Sequence, residues 1–173
     1  MGICYFAQAG LMLNKGIRMN SLTAPAGFKL SEHFTLAEAI YSPTATNKGI
    51  DNTPTPDALE RMKFTAIRME AVRQVLGNRS IYVTSWYRGP TLNSAIGGVK
   101  NSQHSRGEAV DFICQGYGNP KQICKALIDA KDVLQYDQLI LEPTWVHISF
   151  VPTNPRLNEL TKMSTGYTQG IHV

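Results

Sequence analysis

One long amphipathic helix followed by a set of short strands is the pattern that most restricts this chain. Leu59, Met62, Ala66, Met69, Val72 and Leu76 recur at three- and four-residue steps, a single apolar face that ends at Gly77-Asn78. Thr55 caps its start and Pro56 takes the first helical position, where a missing N–H costs nothing. The methionines in that stripe read as core. Beyond it come segments rich in β-branched and aromatic residues: 80–84, 108–113, 138–142 and 145–150. Pro143-Thr144 separates the last two, and a further helix starts at Asn119-Pro120, with Ile123, Leu127 and Ala130 facing inward. Thr35-Leu-Ala-Glu38 reads as a capping box, and residues 42–56 as a long irregular loop. Helices come first and strands mostly later. The expected class is α+β, a small single domain with an antiparallel sheet and helices packed on one side.

With 173 residues, 43% hydrophobic and 17% charged, the chain can build one core and is not a disordered sequence. A net charge of +4 suits an anionic partner only weakly, and no basic run is interleaved with aromatics, which argues against a nucleic-acid module. Cys4, Cys114 and Cys124 form no CxxC pair, so neither a disulfide framework nor a thiolate zinc site is expected. No stretch approaches the roughly 20 apolar residues of a membrane span. Ile3 to Leu13 is broken by Gln8 and Gly10 and lacks a preceding basic residue, a poor secretory signal. Met19 allows the first 18 residues to be a leader or extension. Residues 1–30 are taken as peripheral, 31–151 as the functional domain, and 152–173 as a polar tail at the surface.

Chemistry concentrates in Ser102-Gln-His104-Ser-Arg-Gly107-Glu-Ala-Val-Asp111, followed by His147. Imidazole and carboxylate suit Zn²⁺, and three protein ligands leave a fourth position for water. Water held by such a metal has its pKa lowered to about 7 and becomes a nucleophile. Alternation places Asp111 on the face opposite Val110 and Phe112, and His147 opposite Val146 and Ile148. A carboxylate in an otherwise apolar strand needs a partner, either a metal or a buried arginine. His33 and His172 read as bystanders and Cys114 as packed core.

The motif Ser-x-His-x-x-Gly-x-Ala-x-Asp with a later Trp-Val-His resembles the zinc D-Ala-D-Ala carboxypeptidase family of metallopeptidases, which includes phage endolysins. The likeness runs through HFTLAEAIYSPTATNKGIDNTP, VTSWYRGPTLNSAIGGVKNSQHSRGEAVDF, YDQLILE and TWVHISF, about residues 33 to 151. It implies a sheet flooring a zinc cleft, with His104, Asp111 and His147 as metal ligands. Arg88 matches the arginine that steadies the oxyanion, a fixed charge where charge develops. Ser102 becomes a candidate hydrogen-bond donor to substrate.

The general base departs from the pattern. Family members often place Glu or His three residues before the last ligand, and here that position is Thr144. Glu142 is the nearest carboxylate and the favoured base, provided a bend or bulge at Pro143 returns it to the cleft; Asp137 is the reserve. The resemblance implies a peptidase acting on peptidoglycan stem peptides. The lack of a clear secretory signal and the single compact domain suit a monomer made in the cytoplasm that acts on the wall in phage lysis or from a virion, with a bacterial wall-remodelling enzyme the open alternative. The competing expectation is a non-catalytic wall-binding or virion structural module that keeps the zinc fold.

Overall fold

A computed structural model describes residues 27–172. The readings made on Met19, the Ile3–Leu13 stretch and Cys4 lie outside the described residues. Helices α1 (Leu36–Ile40), α2 (Pro43–Lys48), α3 (Pro56–Val75), α4 (Pro90–Ala95), α5 (Pro120–Asp129) and α6 (Lys131–Leu134) are joined by a 3-10 turn over Gln103–Arg106. Capping explains the starts of α1, α3 and α5. The Thr35 hydroxyl accepts from the Glu38 N–H, Thr55 accepts from Ala58, and Asn119 and Gln122 cap one another reciprocally.

The expected irregular loop over residues 42–56 instead contains α2. Ser42 accepts from the Ala45 N–H, Pro43 sits at the first position, and Gly49 closes the helix in the left-handed conformation. It is the same Ser/Thr-Pro start as at Thr55-Pro56, on a helix of six residues. So short a helix shows no apolar period.

Among the described residues six strands form one sheet: β1 (Tyr82–Ser85), β2 (Ala109–Ile113), β3 (Gln138–Leu141), β4 (Val146–Ser149), β5 (Asn158–Met163) and β6 (Gly166–Gln169). Their order is β1-β2-β4-β3-β5-β6. The α+β class holds, while the sheet is mixed rather than wholly antiparallel. β4 is already flanked by β2 and β3, so the returning chain reaches the free edge of β3 and pairs there in parallel. The polar tail expected after Pro152 thus supplies two strands. Both lie at the margin of the sheet, held largely by main-chain pairing, so they lack the apolar alternation that marks a half-buried strand.

The sheet has one apolar and one polar-bearing face. Val110, Phe112, Leu139, Leu141, Val146 and Ile148 join Met62, Met69 and Val72 of α3 and Ile123 and Leu127 of α5 in one core. Each such side chain contributes about 1.5–3 kcal/mol by leaving water. On the other face, cross-strand register lines up Ser85, Asp111, His147, Ile140, Leu160 and Gln169 from β1 to β6. That row floors a cleft. Among the described residues, no helix is long and apolar enough to cross a membrane.

Candidate metal centre

Adjacent strands put Asp111 and His147 directly opposite one another, and the 3-10 turn lowers His104 onto them. His147 Nδ1 lies 2.7 Å from Asp111 Oδ1, and His104 Nε2 lies 3.3 Å from His147 Nδ1 and 3.4 Å from the same carboxylate oxygen. The three side chains form a group whose ligand atoms all fall within 4.8 Å of one another. Atoms bound about 2.0–2.2 Å from a tetrahedral ion sit roughly 3.3–3.6 Å apart. Two of the three separations match that spacing. The third, shorter one is a hydrogen bond between His147 and Asp111 that a shared cation would open. The donor set, two imidazoles and one carboxylate, fits zinc.

The orientation of His104 is fixed from behind. Its Nδ1 lies 2.7 Å from the Trp86 carbonyl, which can only accept, so Nδ1 carries the proton and Nε2 presents its lone pair to the cleft. A backbone carbonyl behind a ligating imidazole is the usual way such rings are oriented. Trp86 also donates from its indole Nε1 to the Gly107 carbonyl at 3.1 Å, so it brackets both ends of the turn. Glu108, buried, accepts from Arg61 of α3 at 2.5 Å and from Arg106 at 2.7 Å, which ties the turn to the helix. Asn52 bonds the Ile40 and Tyr87 carbonyls and the Gly89 N–H, fixing the loop that carries Arg88. None of these supports was legible as such: Trp86 reaches 21 residues along the chain to Gly107, Asn52 37 to Gly89 and Glu108 47 to Arg61.

Gly107 is required by both conformation and space. It adopts φ +79°, and a Cβ there would stand 2.5 Å from Met62 Cγ and 2.8 Å from the Ala58 carbonyl oxygen. Gly107→Ala is expected to lower stability by about 2–4 kcal/mol, summing left-handed strain and overpacking against backbone. Urea unfolding of the two proteins checks this, and an unchanged midpoint would refute it.

Charge is balanced inside the group. Burial disfavours ionised Asp111, but the His104 and His147 imidazoles beside it hold its carboxyl well below the usual range. Burial lowers the pKa of His104 and the Asp111 charge opposes it; the net downward direction favours the neutral imidazole that a metal ligand presents. Arg88 lines the same cleft, and its buried Nε has no hydrogen-bond partner among the described residues. Ser102, also lining the cleft and buried, caps the turn by accepting from the His104 N–H at 3.3 Å. Its hydroxyl proton is left for another acceptor.

Glu142 reaches the cleft without a bulge. β3 and β4 form a hairpin in which Ile140 faces His147 and the Glu142 N–H donates to the Trp145 carbonyl at 3.2 Å. Residues directly opposite share a face, and Glu142 is two positions on from Ile140, so it stands on the His147 side. Burial and the nearby Asp111 charge raise its pKa above the ordinary value. Asp137 also borders the cleft, but its carboxylate is held by Arg156 Nε at 3.0 Å, the Arg156 N–H at 3.0 Å and Gln103 at 2.9 Å. These bonds outweigh burial and pull its pKa down. His33 pairs with Glu70, and the His172 N–H donates to Thr161; the structure brings neither to the centre. Cys114 and Cys124 are buried and unbridged.

Arg88, Ser102, His104, Asp111, Glu142 and His147 thus border one cleft of about 810 Å³. No curated protein matches the chain. A protein-family comparison does: the model described as peptidase M15 matches residues 32–149, from before α1 to the end of β4. That family is zinc-dependent in general, and its peptidases act on peptidoglycan. Because the match takes in well over half of the sequence and every strand that carries the convergent group, the chain belongs to the peptidase M15 family, that of the zinc D-Ala-D-Ala carboxypeptidases.

Proposed function

We propose that this chain is a zinc-dependent peptidase that hydrolyses D-amino-acid-containing peptide bonds of bacterial peptidoglycan, working in phage lysis or from a virion. The convergence of His104, Asp111 and His147, with two of their three separations at tetrahedral spacing, carries the proposal. The peptidase domain spans about residues 31–151, and those three side chains hold the metal. Zinc bound there supplies a Lewis acid for the scissile carbonyl and makes water nucleophilic at neutral pH.

The remaining steps belong to side chains of the cleft. Arg88, whose buried Nε has no hydrogen-bond partner among the described residues, meets the carbonyl oxygen as it gains charge. The Ser102 hydroxyl donates to the substrate backbone and helps hold the peptide in register. Glu142 takes a proton from the attacking water and returns it to the leaving nitrogen; its pKa, raised by burial and the nearby Asp111 charge, makes it a stronger base than a free carboxylate. Asp137, already saturated by Arg156 and Gln103, is left with a structural role.

Digestion of purified peptidoglycan of several chemotypes, read by mass spectrometry, tests the activity. D-alanine release or cleavage of crosslinks is expected, and a chelator should abolish it. Untouched muropeptides with zinc present would leave a wall-binding or virion structural module as the function.

A further inference from the structure

The family match ends at residue 149, yet the cleft does not. Leu160 of β5 and Tyr167 of β6 line it beyond β3. Strand parity explains why. Leu160 pairs with Ile140 on the cleft face, Lys162 is two residues further along the same face, and Lys162 pairs with Tyr167.

A second polar row therefore crosses the sheet beside the first, from Glu142 after β3 to Lys162 and Tyr167. The Tyr167 hydroxyl lies 3.3 Å from Glu142 Oε1 and donates to it. Lys162 Nζ sits 4.3 Å from the centre of the Tyr167 ring, a cation–π contact that steadies a half-exposed aromatic. The Tyr167 bond holds the carboxylate of Glu142 at the end of a strand beside a proline, where it is the side-chain hydrogen bond that fixes its rotamer.

We infer that Tyr167 is a positioning residue for the peptidase reaction: its hydroxyl holds the Glu142 carboxylate at the cleft, and the β5–β6 hairpin is the part of the chain that delivers it. The inference rests on the proposal that Glu142 is the base. A hydrogen bond that orients a reacting carboxylate acts on turnover and not on the affinity of remote substrate contacts. Tyr167→Phe keeps the ring and the Lys162 contact and removes only the hydroxyl.

The experiment is a double-mutant cycle on the full chain with zinc bound, using the peptidoglycan fragment that the wild-type protein cleaves. Tyr167→Phe should lower kcat roughly 10- to 150-fold, the range for losing a hydrogen bond to a charged group. KM should stay within about twofold and zinc content should be unchanged, with the melting temperature lowered by about a few degrees at most. In a Glu142→Gln background the same substitution should have almost no effect, because there is no longer a base to orient. Wild-type turnover in Tyr167→Phe would overturn the inference while leaving Glu142 in place. An equal loss in both backgrounds would overturn it too, by showing that Tyr167 acts on the sheet. Normal turnover in Glu142→Gln alone would instead remove the base assignment on which the inference stands.

Discussion

Replacing His104 by alanine is expected to empty the metal centre, from about one tightly held zinc per chain to a small fraction after dialysis. His104 is buried, its ring is aimed by the Trp86 carbonyl, and it is one of only three grouped ligand side chains among the described residues. Removing a mere outer-sphere partner of a ligand typically weakens metal binding about 10- to 100-fold. Loss of a ligand itself should exceed that, and peptidase activity should fall to background. The fold should survive, because the core formed by α3, α5 and the apolar face of the sheet does not include His104. Metal analysis beside circular dichroism separates the two effects. Undiminished zinc in a folded His104→Ala protein would mean that the three side chains do not form the metal site.

That His104, Asp111 and His147 could be picked out beforehand has a simple physical origin. Asp111 interrupts an apolar strand, and His147 alternates with Val146 and Ile148; period-two geometry then assigns both to one face. The helix starts were legible for a similar reason, since capping chemistry is local and leaves its residues adjacent in sequence. What stayed hidden is non-local or weakly patterned. Glu142 looked misdirected when counted along one strand, and only the hairpin reversal at Pro143-Thr144 restores its parity with His147. β5 and β6 carry Asn, Glu, Thr, Lys and Gln in mostly part-exposed positions, a composition that reads as surface until the open edge of β3 is known. Nothing in the sequence ties down Asp137, the reserve base, because its partner Arg156 is 19 residues away, on the connection into β5.

Those same two carboxylates give the sharpest test of mechanism. Glu142→Gln keeps the size of the side chain and can still accept from Tyr167, but it loses the basic oxygen. It should retain zinc and stability while turnover falls by roughly 10²–10⁴-fold, the usual contribution of a positioned acid–base group. Asp137→Asn should show the opposite profile. It disrupts the bonds to Arg156 and Gln103 that pin the connection into β5, so about 1–3 kcal/mol of stability should go, with little change in turnover of the protein that remains folded. Steady-state kinetics and urea unfolding on both variants give four measurements with a crossed outcome. Near-normal turnover in Glu142→Gln would sink its assignment as base. A large kinetic loss in a stably folded Asp137→Asn would move the proton transfer to Asp137, and Arg156 would then have to release that carboxylate during the reaction.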